Sequence, residues 1–168
     1  QLLPLFSKIK ATKQINYYID TADFSIRDAK MALRIRTFET RAELTLKIPQ
    51  QVGNMEYNQF LTLEESHTFI NTCVLPEGKI RTLLTQAAIN LEKLKVLGSL
   101  TTIRYEKETT IGLMALDENY YFDKTDYELE LEVTDAKIGK EQFECFLQAH
   151  HIHYKYAKPK VARFAQNL

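Results

Sequence analysis

Two sets of charged side chains are spaced so that they could act together. Arg34 and Arg36 stand two residues apart, and Lys47 lies in the next alternating segment. Glu128, Glu130 and Glu132 repeat the same two-residue step near the other end of the chain. A two-residue step puts side chains on one face of a strand, so each set is a row of like charge. Cations facing each other across a hairpin repel, as does a stack of three carboxylates. An anion held between the cations, and a divalent cation among the acids, would relieve both. Guanidinium forks and ammonium groups suit phosphate oxygens. Carboxylate oxygens are the ligands that Mg²⁺ and Mn²⁺ prefer. Together these are the parts that phosphoryl transfer needs. The residues therefore point to a metal-assisted polyphosphate site. The sequence holds no Gly-rich phosphate loop, zinc-ligand spacing or Ser-His-Asp order.

Alternating polarity predicts the strands that position these rows. Residues 13–20, 31–38, 42–48, 55–63, 100–109, 111–117 and 127–133 read as strands. Three- and four-residue apolar spacing predicts helices over 64–71, 78–95 and 139–150, with Gly98 closing the second helical region. The tail from 154 to 168 reads as a basic end. The apolar strand faces are strong enough to pack outward on helices. That leaves the charged faces toward the concave side of a curved or closed sheet. One α+β domain over residues 1–168 is the simplest organisation.

Composition sets the frame. The 168 residues are 45% hydrophobic, enough for a sizeable core without disulfides. Lys plus Arg and Asp plus Glu are each 22, so the net charge is zero, which argues against a nucleic-acid binder. Cys73 and Cys145 are far apart, suggest a reducing compartment and read as small buried apolar residues. With no membrane-length apolar run and no leader pattern, the expected location is cytoplasmic. His150, His151 and His153 lack zinc spacing and read as an exposed helix end.

The same residues carry a resemblance. Tyr17-Tyr18-Ile19-Asp20-Thr21, Ala32-Leu33-Arg34-Ile35-Arg36, Leu44-Thr45-Leu46-Lys47, Arg104, Leu116-Asp117 and Glu128-Leu129-Glu130-Leu131-Glu132 follow one another as in the CYTH superfamily. These proteins are the triphosphate tunnel metalloenzymes, which include class IV adenylate cyclases, thiamine triphosphatases, inorganic triphosphatases and fungal-type RNA triphosphatases. The chain most resembles the small stand-alone CYTH proteins of Gram-positive bacteria.

The resemblance implies an eight-stranded antiparallel β-barrel, the triphosphate tunnel, with helices packed outside. It implies substrate binding by Arg34, Arg36, Lys47, Arg104 and Lys160, with Lys158 as second choice for the C-terminal lysine. Glu56 is a further tunnel acid. The metal and catalytic acids would be Glu128, Glu130 and Asp117, with Mg²⁺ or Mn²⁺ as cofactor and Glu132 near the rim. The expected activity is metal-dependent hydrolysis of a triphosphate, inorganic or a nucleoside or thiamine triphosphate. Cyclisation of ATP, or non-catalytic binding of a triphosphate, are the alternatives. The family's N-terminal Glu-x-Glu-x-Lys strand is expected before Gln1, so the domain reads as N-terminally incomplete. The edge thereby exposed would suit pairing with a second copy, so the expected partners are a small-molecule triphosphate and a homodimer mate.

Overall fold

The computed structural model describes residues 2–51 and 53–168; Gln1, from which the missing strand was reckoned, lies outside them. Seven strands, β1 (Thr12–Thr21), β2 (Ala32–Thr37), β3 (Ala42–Pro49), β4 (Asn54–Leu61), β5 (Leu94–Thr109), β6 (Gly112–Tyr121) and β7 (Lys124–Glu132), form one sheet. Its order is β4-β3-β2-β1-β5-β6-β7, antiparallel throughout. The expected α+β class is met. Among the described residues the strands number seven, the seven that the alternation predicts; they do not close into the eight-stranded barrel that the resemblance implies, since β4 and β7 are edges, each paired on one side.

The helices are α1 (Ser25–Asp28), α2 (Leu63–Thr72), α3 (Lys79–Gln86), α4 (Ala136–Ala149) and α5 (Lys160–Ala165). Thr62 starts α2 with a capping box: its hydroxyl accepts from the Glu65 N–H at 3.1 Å, and its own N–H donates to Glu65 Oε2 at 2.7 Å. Leu33, Ile35, Leu44 and Leu46 on the outer faces of β2 and β3 pack with Phe69 of α2 and with Ile80 and Leu84 of α3. Each such side chain contributes about 1.5–3 kcal/mol on burial. That core fixes which strand face is turned inward, and the inward face is the charged one. Among the described residues no helix is long and apolar enough to cross a membrane.

Several expectations are corrected. The helix predicted over 78–95 ends at Gln86, because Ala88 takes a left-handed φ of 59° and Asn90 caps a separate 3₁₀ turn at Leu91–Lys93. Residues 94–97 are strand, and Gly98 lies inside β5 instead of ending a helix. β6 runs on to Tyr121, past the predicted 117, and turns at Phe122 into β7. The basic tail holds the helix α5. Cys145 is exposed and Cys73 half-buried, so neither is the fully buried residue expected. His150 caps the end of α4, its Nδ1 2.8 Å from the Phe146 carbonyl oxygen.

Candidate functional site

Strand alternation brings one side chain in two to a common inner face. Glu56 on one edge strand and Glu128, Glu130 and Glu132 on the other line the same cavity of about 420 Å³, so the sheet curls around it. Arg34, Arg36, Lys47, Arg104 and Lys160 line it too. All the expected site residues except Asp117 and Lys158 are therefore cavity-lining, and Asp117 sits fully buried directly behind Arg104. Lys158 is exposed and outside the lining.

The basic wall is β2 and β3. In register, Arg34 lies between Tyr18 and Thr45, and Arg36 between Asn16 and Glu43. Despite that register, no carboxylate among the described residues comes within ion-pair distance of Arg34 or Arg36. Arg34 Nε is buried without a hydrogen-bond partner. Arg36 Nε donates to Asn16 Oδ1 at 2.7 Å. Burial above all, then the charges of Arg34 and Arg104, pushes the Arg36 guanidinium down to about 10. Lys47 pairs with Glu56 at 3.0 Å. Partial burial of Glu56 works the other way, but the Lys47 contact, with Arg34 and Arg36 beyond it, holds its carboxyl below the ordinary value.

The acidic wall is β6 and β7. One carboxylate oxygen from each of Asp117, Glu128 and Glu130 lies within 4.8 Å of the others. Arg104 grips Asp117 with two bonds of 2.7 Å and reaches Glu130 with a third of 2.7 Å. This places Arg104, grouped by resemblance with the phosphate-binding cations, among the acids. Lys160 Nζ stands 2.9 Å from Asp117, 2.9 Å from Glu128 and 2.7 Å from Glu130. Burial opposes its charge, yet Asp117 and Glu130 outweigh that and raise its pKa. Burial likewise works against ionised Glu130, but Lys160 and Arg104 prevail and hold its carboxyl down to about 2. Glu132 is exposed at the rim.

Two residues of this wall escaped the sequence reading. Asp126 extends the row on β7 by one step; it accepts from Asn119 at 2.9 Å, Tyr121 at 2.7 Å and Arg163 at 3.1 Å. Arg163 also bonds Glu128. Lys160 and Arg163 come from α5, three residues apart and so on one side of that helix. Phe164, buried, anchors it with its ring centroid 4.8 Å from Tyr18 and 5.0 Å from Phe122. The two-residue step from Asp126 to Glu128 was legible; that a short tail segment would fold back over it was not.

Chemically, one side of the cavity offers unpaired cations for an anion. The other offers three converging carboxylates, hard oxygen donors that suit a divalent ion, with the Lys160 ammonium now among them.

The CYTH domain family model matches residues 3–165. The chain is 39% identical over 153 residues to "Putative triphosphatase YjbK" of Bacillus subtilis (strain 168), covering 91% of this chain and 79% of that one. The crystal structure of a "putative adenylate cyclase" from Bacillus halodurans superposes with a TM-score of 0.87 at 30% identity, covering 97% of this chain and 88% of that one. "Putative adenylyl cyclase HpAC1" from Hippeastrum, described as having a dominant triphosphatase activity, gives 0.88 at 24% identity over 99% and 88%, a likeness of fold.

Proposed function

Because the chain belongs to the CYTH domain family, we propose that it is a divalent-metal-dependent triphosphatase that hydrolyses a terminal phosphate inside the cavity. Inorganic triphosphate is the first substrate, with nucleoside and thiamine triphosphates next. The observation that carries this reading is the pairing of opposites across about 420 Å³: unpaired Arg34 and Arg36 on one wall, and the Asp117, Glu128 and Glu130 triad on the other. A triphosphate chain needs the first. A mere anion binder has no use for the second. The 39% identical relative's description as a triphosphatase supports the same activity here.

In this reading Arg34, Arg36 and Lys47 hold the phosphate chain, and Lys160 is a further phosphate ligand once it leaves the acids. Asp117, Glu128 and Glu130 hold Mg²⁺ or Mn²⁺, which would neutralise phosphate charge and activate water. Arg104 grips Asp117 and Glu130 and aims their carboxylates. Glu56 steadies Lys47. The seven strands are then the greater part of an eight-stranded tunnel, whose eighth strand would pair with the edges β4 and β7. ATP cyclisation would use the same grip, and the 30% identical structure described as an adenylate cyclase keeps it as the second reading.

One assay decides. Phosphate release is measured from inorganic triphosphate, ATP and thiamine triphosphate, with and without Mg²⁺ or Mn²⁺, and cyclic AMP is measured alongside. Metal-dependent phosphate release is the expected result. Cyclic AMP without phosphate release would favour cyclisation; triphosphate binding without any turnover would overturn the enzyme reading.

A further inference from the structure

Of the two strands between the walls, β1 adjoins the cationic one, and three successive inward side chains there, Gln14, Asn16 and Tyr18, are neutral and buried. Gln14 and Asn16 are 3% and 0% exposed, yet Gln14 Nε2 and Asn16 Nδ2 have no hydrogen-bond partner among the described residues. An unsatisfied buried donor costs about 1–3 kcal/mol. At position 16 the cost has an evident remedy. Asp has the same shape, would keep the bond to Arg36 Nε, would carry no orphan donor, and would pair with a buried cation that lacks a carboxylate. The chain instead places there the amide that holds Arg36 without neutralising it.

We propose that Asn16 is a positioning residue for the triphosphate grip: its Oδ1 fixes the Nε side of Arg36, leaving the guanidinium's other donors and its full charge for the substrate phosphate. This rests on the phosphate-binding role of Arg36 argued above. The choice of amide over acid is what makes the cation available. On the other flank Glu43 stands across from Arg36 in register on β3, but no ion pair between the two is found among the described residues, so the amide of Asn16 is the side-chain contact that holds the Nε side. Burial first, then Arg34 and Arg104, lower the pKa of Arg36, and the raising influence of Tyr18 and Glu43 does not offset them.

The test compares Asn16→Asp, Asn16→Ala and Arg36→Ala by calorimetric titration with inorganic triphosphate, without metal. Asn16→Asp is expected to melt no lower than the parent and to bind triphosphate at least about tenfold more weakly, a loss of about 1.4 kcal/mol. Asn16→Ala is expected to lose several-fold, and no more than about twofold in the Arg36→Ala background, because a residue acting through Arg36 has nothing left to act on. Independently of substrate, the ¹⁵N-resolved Nε–H signal of Arg36 should be slow to exchange in the parent and fast in Asn16→Ala, which also serves if the Asp variant fails to fold. A merely structural role predicts that Asn16→Asp, with shape and bond kept, binds like the parent; that result overturns the proposal. So does an Arg36 signal indifferent to Asn16. A parent that binds no triphosphate, with the Arg36 signal still dependent on Asn16, would instead strike at the triphosphate reading and leave the Asn16–Arg36 contact standing without its purpose.

Discussion

On the β2–β3 side of the cavity, Arg34 and Arg36 stand side by side with no carboxylate among the described residues within ion-pair distance. On the β6–β7 side, Asp117, Asp126, Glu128 and Glu130 are each bonded to a cation from β5 or α5. Both walls arise from the same alternation, and they differ in what the rest of the chain brings to them. Lys47 is compensated by Glu56, but Arg34 and Arg36 carry most of their electrostatic cost in the free protein, and a bound anion would remove it. The anionic wall is already compensated, by groups that a divalent ion would have to displace. Removing a charge should therefore cost binding but not stability on the first wall, and cost stability on the second.

The strongest way to break that contrast is Glu130→Gln, which keeps the shape and removes one metal-ligand charge. Turnover of triphosphate should fall roughly a hundredfold while its affinity changes by less than about threefold. Equal losses in the two would mean that Glu130 belongs to substrate binding. Next is Arg36→Ala. Triphosphate affinity should drop by about thirtyfold, near 2 kcal/mol, with a melting temperature equal to or above the parent's. A clear fall in melting temperature would show the cationic wall to be compensated after all.

Lys160→Ala probes the other side. It takes one of two cations from each of three carboxylates, leaving Arg104 on Asp117 and Glu130 and Arg163 on Glu128, so stability should fall by about 2 kcal/mol, less than a fully stranded buried charge would cost. Mn²⁺ binding in the absence of triphosphate, followed by electron paramagnetic resonance, should tighten, since the ammonium no longer competes. Weaker Mn²⁺ binding would place Lys160 as a support of the metal site and not its rival. The smallest effect is in pH. Glu130 is held down to about 2 from an ordinary 4.5, so its contribution is complete above 4.5 and fades as pH falls from 4.5 toward 2. Thermal melts across that window should show a shallower slope in Glu130→Gln. The Arg36 contribution has the opposite character. The unfolded chain holds that proton more tightly, so stability should rise as pH climbs past about 10.

The sequence made the walls legible because both rest on period-two patterns with strongly apolar opposite faces, and Leu33, Ile35, Leu44 and Leu46 did bury as that pattern demands. It also put Arg34, Arg36, Lys47, Glu128 and Glu130 on faces that the fold brings to one cavity. What it hid depends on contacts distant in the chain. Helix α5 has six residues, no side-chain cap and Pro159 before it, so nothing local announces it; tertiary packing of Phe164 holds it. The start of β5 was hidden because Lys95-Val96-Leu97 has no period of its own and Gly98 imitates a helix stop. Arg104 was visible as a cation, but its side of the cavity was set by register, with Asp117 directly opposite.

Gly98 also has a reach beyond its strand. It lies opposite Tyr18, next to a shift in the β1–β5 register, with φ at +153°. A Cβ there would come within 2.7 Å of the Phe164 ring. The seat of α5, and with it Lys160 and Arg163, is thus a missing atom on a strand that holds neither cation. In the language of descent, positions 98 and 164 are epistatic and unequally free. Any side chain at 98 is strained by the backbone and collides with the ring, so the ring at 164 has to shrink or move before 98 can change. The counter-cations of the acidic wall are inherited through a glycine.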